Sequence, residues 1–255
     1  MLGLQKQDKT FFRTEEVKMN KQNKLIKETY QDKELVNEFD KERKQYFYMR
    51  YKHKLESSFL IKTLDLFDKP IKVLDVACGT GRMTKEVFKS KNKIDYYGVD
   101  TSKEMMDKIK TKGATLKVAD ASKLPFKDNT FDVVYTYHLL WHIPKETQVK
   151  IIKEMLRVVK EDGYILFDFL NKNFIFEKIK PLFKKKTKGI YKFSKLEVEQ
   201  IVKSNDLKIE RLFDIPIFNT FLYLPFHILN LVRVLPLNLY HMCFVRVKKG
   251  DTLYV

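Results

Sequence analysis

Val73-Leu74-Asp75-Val76-Ala77-Cys78-Gly79-Thr80-Gly81-Arg82 runs from an apolar strand into a glycine-rich turn and on into a helical pattern. Glycines at 79 and 81 let the backbone turn sharply and approach a ligand more closely than a Cβ permits. The helix that follows aims its unpaired N–H groups at the same place. A glycine pair alone is weak evidence, because such pairs occur in many ordinary loops. Roughly twenty residues on, Ile94-Asp95-Tyr96-Tyr97-Gly98-Val99-Asp100 reads as a second strand ending in an acid, and Asp100 can accept hydrogen bonds from both hydroxyls of a ribose. A third strand, Thr115 to Ala119, ends in Asp120-Ala121, where an acid can accept from an adenine amino group.

The glycine positions separate the nucleotide classes that use this layout. A dinucleotide fingerprint needs a third glycine, but Gly79-Thr80-Gly81-Arg82-Met83-Thr84 has threonine there. No lysine followed by Ser or Thr stands where a P-loop requires it. The run D-x-A-x-G-x-G at Asp75 to Gly81 does resemble the first motif of the class I S-adenosylmethionine-dependent methyltransferases. The similarity continues through Asp100 and through Asp120-Ala121-Ser122-Lys123-Leu124-Pro125-Phe126-Lys127-Asp128-Asn129-Thr130-Phe131-Asp132-Val133-Val134, its most specific part, and it covers residues 70 to 171. The family usually has glycine where this chain has Ala77, a departure the turn is expected to tolerate. Cys78 is expected to be a small buried filler. With only two cysteines, Cys78 and Cys243, no disulfide framework or zinc cluster is expected, and a reducing cytoplasm fits.

The pattern of elements predicts an α/β fold with a doubly wound seven-stranded sheet, and the resemblance implies that the last strand is antiparallel. Strand four is Phe131 to Tyr135, and the helix Lys145 to Lys160 carries Ile151, Ile152, Met155, Leu156 and Val159 on one stripe, with Gly163 at its end. Strand five is Tyr164 to Phe169, strand six Leu207 to Ile215 and the last strand His241 to Lys248. Thr101 with Glu104, and Ser194 with Glu197, have capping-box spacing, and the helix after Thr101 should turn Met105, Met106 and Ile109 inward. Residues 1–20 are polar, lack an apolar run of signal-peptide length and are expected to be disordered. Residues 21–68 read as helices with Phe47, Tyr51, Leu55 and Phe59 along one face; the resemblance makes them a lid over the cofactor mouth, from which Tyr46, Tyr48, Arg50 or Tyr51 reaches the ligand. The resemblance makes residues 69–255 the methyltransferase domain, with a basic insert expected at 172–192 and an apolar cap insert at 215–238 between strands six and seven.

The resemblance makes Asp75, Ala77, Gly79, Gly81, Arg82, Asp100, Thr101, Asp120, Ala121, Tyr137, His138 and Arg50 the expected S-adenosylmethionine contacts, with Asp75 facing the ammonium group and His138 walling the methionine moiety. Methyl transfer is an in-line displacement from a sulfonium, so positioning and exclusion of water carry much of the rate. A hydroxyl or ammonium acceptor must also lose a proton, and histidine suits that task near neutral pH. His142 is the first candidate base, because related small-molecule methyltransferases often place a histidine in the same segment after strand four; alternatively it orients that loop. Tyr137 and Asp168 complete the catalytic candidates. Asp168 and Asn171 close strand five, where they either hold the acceptor or cap a loop. No metal is expected.

The chain of 255 residues carries a net charge of +17, and +9 of it falls in residues 171–255. Basic residues around Lys178 to Lys188 lie upstream of an insert, Ile215 to Val232, that has no Lys, Arg, Asp or Glu. Its Pro216, Pro225, Asn219, Thr220, His227 and Asn230 argue against a spanning helix. A substrate cap or dimer contact is the preferred reading of this insert, ahead of contact with an anionic membrane. The expected acceptor is therefore an O or N of a small-molecule, sugar or lipid-linked compound, in a cytoplasmic protein that can sit at the inner face of the membrane. RNA ranks lower, since lysine is spread along the whole chain and no RNA-binding module is recognisable. A non-catalytic S-adenosylmethionine sensor or accessory subunit is the remaining alternative.

Overall fold

The computed structural model describes residues 47–173, 190–204, 208–216 and 240–249. The elements are α1 (Phe47–Leu64), β1 (Ile71–Val76), α2 (Thr84–Val87), β2 (Ile94–Asp100), α3 (Lys103–Met106), β3 (Ala114–Val118), β4 (Phe131–Thr136), a 3₁₀ turn (Leu140–His142), α4 (Lys145–Val158), β5 (Val159–Asn171), β6 (Lys192–Phe193), α5 (Lys195–Lys203), β7 (Lys208–Pro216) and β8 (Tyr240–Lys248). They build one sheet in the order β3-β2-β1-β4-β5-β8-β7, with β6 beside the end of β5. β1 to β5 are mutually parallel, and β8 runs antiparallel to both β5 and β7. The doubly wound sheet with an antiparallel last strand is therefore present. It has eight strands where seven were expected, because the two-residue β6 pairs with Leu170 and Asn171.

Alternation along each central strand sends successive side chains to opposite buried faces. Leu74, Val76, Val134, Ile165 and Phe167 meet Ile151, Ile152 and Met155 of α4 and Val198 and Val202 of α5. Val73, Val133, Tyr135 and Leu166 point the other way, with Phe59, Leu60 and Leu64 of α1 and Met83 and Val87 around α2. The motif segment after β3 is tied down by α4. Arg157 donates to the carbonyls of Leu124 and Phe126 and to Asp128, while Glu154 accepts from the Leu124 N–H. Asp132 accepts from the Lys72 N–H at 2.9 Å and from Lys160, which fixes the start of β1 against β4 and β5. Much of that motif is thus scaffold.

Several local expectations shift. The helix after Pro144 ends at Val158, and its last turn passes directly into the long β5, so Gly163 is a strand residue and not a cap. A Cβ there would lie 2.8 Å from the Asp132 carbonyl, so the glycine serves close strand packing. The cap before α3 is Ser102, not Thr101: the Ser102 hydroxyl accepts from the Met105 N–H, because the Ser102 N–H is held by Asp100. Met106 is buried, while Met105 turns to a cavity wall. The Ser194–Glu197 capping box is present. Tyr46, residues 1–46, most of the basic insert and residues 217–239 of the apolar insert lie outside the described residues, as does the Tyr48 side chain. Among the described residues no helix is long and apolar enough to cross a membrane.

Candidate functional site

The sheet order reverses between β1 and β4, and in open α/β sheets ligands bind beyond the carboxyl ends of the strands at that point. A cavity of about 380 Å³ opens there, within the size range of small-molecule sites. The end of β1 contributes Asp75 to its wall, and the turn after it Ala77, Gly79 and Arg82. Asp100 and Thr101 come from the end of β2, Asp120 and Ala121 from the segment after β3, and Tyr137, His138 and His142 from the segment after β4. Gly81 and Arg50 line a second cavity on the other side of Arg82 instead. Asp168 and Asn171 lie behind the first cavity and do not line it.

Left-handed backbone makes the turn. Ala77, Gly79 and Gly81 have φ of 62°, 55° and 77°. A Cβ on Gly81 would sit 2.6 Å from Ile109 Cγ1 and 3.0 Å from Thr84 Oγ1, so only glycine lets the turn pack there. Asp100 braces the turn from the neighbouring strand: one carboxylate oxygen accepts from the Gly79 N–H at 2.9 Å and the other from the Ser102 N–H at 2.9 Å. Burial raises its pKa, opposed by those backbone donors. Asp75 is buried, and its Oδ2 accepts both the Tyr96 hydroxyl at 3.0 Å and the Tyr135 hydroxyl at 2.7 Å. Tyr96 spends its proton on Asp75, so the Thr84 hydroxyl 3.0 Å away donates to Tyr96. Desolvation pushes Asp75 up to about 6 in spite of the two donors.

The second wall is built around Glu56, which is 0% exposed on α1. Its carboxylate takes Arg82, a 2.8 Å contact from His138 Nε2, and Lys52 at 3.6 Å. Those cations and the His138 hydrogen bond hold it well below the usual carboxylate range despite its burial. Burial pushes His138 down to about 3, so its imidazole is neutral; since a carboxylate only accepts, the proton sits on Nε2 and is donated to Glu56. Arg82 Nη1 also donates to His53 Nδ1 at 3.0 Å, whose other nitrogen faces Glu86 at 3.6 Å. Burial and the nearby Arg82 lower the His53 pKa.

After β4 the chain is held from several sides. His138 has a φ of 66°, and its N–H donates to Asp168 Oδ1 at 2.8 Å while its ring is tied to Glu56. Strain of this kind persists where the surroundings over-determine it. Trp141 Nε1 donates to the other Asp168 oxygen at 3.3 Å, and the His142 ring lies 3.9 Å from the Trp141 ring at 32°. Gln148 donates to the carbonyls of Leu140 and Ile143, both at 2.6 Å. Asp168, pushed up to about 6 by burial, therefore positions this segment, and the Asn171 side-chain Oδ1 accepts from the Asn173 N–H at 3.0 Å. The Tyr137 hydroxyl is buried with no hydrogen-bond partner among the described residues, on a side chain that lines the cavity. A buried hydroxyl left unmade is costly, and a polar ligand in the cavity would satisfy it.

Sequence reasoning missed Glu56, Lys52 and His53, as well as the tyrosines that hold Asp75. Of the expected stripe 47-51-55-59, Phe59 is buried and Leu55 packs against the core, and the buried face also takes in Lys52, Glu56, Leu60 and Leu64. Leu60 and Leu64 at four-residue spacing from Glu56 are the signal that could have exposed it.

A family model described as "Methyltransferase domain" matches residues 74–167. An uncharacterised methyltransferase of Schizosaccharomyces pombe is 31% identical over 122 residues, 43% of this chain and 42% of that protein. A demethylmenaquinone methyltransferase of Staphylococcus aureus is 36% identical over 104 residues, 38% of this chain and 42% of that protein. The matched region thus spans less than half the length of these curated relatives. The crystal structure of magnesium protoporphyrin IX methyltransferase from Synechocystis with bound SAH shares the fold at a TM-score of 0.62 and 16% identity, over 89% of this chain and 99% of that one. The strand order and the turn after β1 thus frame a segment, residues 74–167, that matches the methyltransferase domain model, in a fold shared with solved methyltransferases.

Proposed function

We propose that the protein is an S-adenosylmethionine-dependent methyltransferase acting on an oxygen or nitrogen of a small-molecule, sugar or lipid-linked acceptor. The observation that carries the proposal is the convergence of Asp75, Asp100 and Asp120, from the ends of three adjacent strands, on one cavity. In that order they offer acceptors for an ammonium, a ribose and an adenine amino group. The orphaned Tyr137 hydroxyl and the glycine-lined turn suit the same ligand.

When bound, S-adenosylmethionine would supply a sulfonium methyl that an acceptor lone pair attacks in line, with the carbon–sulfur bond breaking and S-adenosylhomocysteine leaving as the thioether. Asp100, oriented by two backbone amides, is pre-set to accept from the ribose. Asp75, anchored through Oδ2, presents its charge to the ammonium once ionised. His138 is neutral and committed to Glu56, so it holds the wall and takes no proton. His142, half-buried on the same wall and stacked on Trp141, is the residue assigned to accept the proton of a hydroxyl or ammonium acceptor. Trp141, fixed by Asp168, keeps that imidazole in place.

The test is label transfer from methyl-labelled S-adenosylmethionine to a panel of amines, sugars, lipids and, because one relative is named a ubiquinone/menaquinone biosynthesis C-methyltransferase, quinone carbons. Transfer to an oxygen or nitrogen of one class is expected, with His142→Ala lowering kcat far more than cofactor affinity; transfer to quinone carbon alone would overturn the choice of acceptor atom. Tight cofactor binding with no transfer across the panel would favour a sensor or accessory role.

A further inference from the structure

α1 and α2, with the segment 108–111 after α3, line a second cavity of about 590 Å³, also of metabolite size. It shares Thr80, Arg82 and His138 with the first, so the two cavities adjoin at these residues. Six cationic side chains line it against two carboxylates. Both carboxylates are already committed: Glu56 to Arg82, Lys52 and His138, and Glu86 to Lys89 at 2.8 Å and His53 at 3.6 Å. Arg50, Lys85 and Lys110 make no ion pair among the described residues. Of the Arg82 donors only Nη1 is hydrogen-bonded among the described residues, which leaves the Nε and Nη2 donors of a guanidinium whose planar fork fits phosphate and carboxylate. A concave site lined by one sign of charge focuses its field and concentrates ligands of the opposite sign.

We infer that this second cavity receives the anionic group, a phosphate or a carboxylate, of the methyl acceptor, an assignment that rests on the methyl-transfer reading of the first cavity. An acceptor anchored by its anion on the α1–α2 side meets the cofactor cavity across Thr80, Arg82 and His138. The charge lines a pocket of small-molecule volume, which favours a compact anion over a polymer.

The experiment is calorimetric titration of the full chain, saturated with S-adenosylhomocysteine at low salt, with pyrophosphate and separately with citrate. One double variant, Lys85→Gln with Lys110→Gln, removes two cavity charges; a control, Lys123→Gln with Lys127→Gln, removes two exposed charges elsewhere. At least one anion should bind the wild type, about tenfold or more weaker in the cavity variant, as loss of charge-assisted contacts predicts, and unchanged in the control. Pyrophosphate alone would identify a phosphate site and citrate alone a carboxylate site. Absence of binding by either into the millimolar range, with S-adenosylhomocysteine bound, overturns the anion site and leaves the methyl-transfer reading standing. Equal weakening in both double variants overturns it as well, and so does retention of bulk RNA without either small anion. If S-adenosylhomocysteine itself fails to bind, the methyl-transfer reading falls and takes the acceptor role with it, whatever the anions do.

Discussion

Replacing Glu56 by Gln keeps the volume and one acceptor but removes the charge that Arg82 and Lys52 face in a fully buried position. Breaking a buried ion pair by removing one partner costs about 3–5 kcal/mol, because the remaining charge is left uncompensated. The retained amide oxygen can still accept from His138 Nε2, worth about 1 kcal/mol, which brings the expected loss to about 3 kcal/mol. For a domain of this size that lowers Tm by about 6–12 °C. The assay is thermal unfolding of wild type and E56Q from pH 5 to 8. Glu56 in the folded protein sits well below its ordinary value of 4.5, so its stabilisation is fully present above that value and is lost only as pH falls through the lower folded pKa. The gap between the two proteins should therefore stay constant from pH 5 to 8 and close only in stronger acid. A Tm difference under about 2 °C, or a gap that changes between pH 6 and 8, would refute the charged buried network.

Asp75, at about 6 in the folded protein and near 3.8 when unfolded, ties two observables to pH with opposite signs. Its contribution to the stability of the unliganded protein is present below 3.8 and lost as pH rises through about 6, whereas affinity for the cofactor ammonium needs the carboxylate and should fall about tenfold per unit below pH 6. Titration with S-adenosylhomocysteine at several pH values checks this, and Asp75→Asn should flatten the dependence. Ala77→Gly removes a left-handed strain of about 1–2 kcal/mol and adds about 0.4–1 kcal/mol of unfolded-state entropy, so urea unfolding should show a neutral to slightly stabilising change. Gly81→Ala puts a methyl 2.6 Å from Ile109 Cγ1 on a left-handed backbone, and calorimetry should show weakened cofactor binding together with a lowered Tm.

The cavity at the carboxyl ends of β1 to β3 was legible because its geometry is local. Left-handed glycines, an acid at a strand end and the spacing between strands are demands on the nearby backbone, and Asp75, Gly79, Asp100 and Asp120 meet them within short stretches of chain. Glu56 was hard to read because what makes it special lies 26 and 82 residues away, at Arg82 and His138, and the one local sign, Leu60 and Leu64 at four-residue spacing, marks a buried face without marking a paired acid. The polar face of α1 also hid the stripe that the helix buries, since Lys52, Glu56, Ser57 and Thr63 read as solvated. Adjacent hydroxyls at Thr101 and Ser102 made the cap ambiguous by one residue, and only the Asp100 hydrogen bond decides between them. Gly163 looks like a helix end in sequence, yet the Asp132 carbonyl behind it asks for the same residue. Arg50 was assigned to the cofactor as part of a lid, but the pitch of α1 carries it to the second cavity.

The account stands most directly on one titration: the purified chain with S-adenosylmethionine and with S-adenosylhomocysteine, repeated on Asp100→Ala, with circular dichroism to confirm that the variant is folded. Asp100 orders the turn through Gly79 and Ser102 and lines the cavity, so wild type should bind both ligands and the folded variant neither. No binding by wild type, or equal binding by the variant, would contradict the central claim.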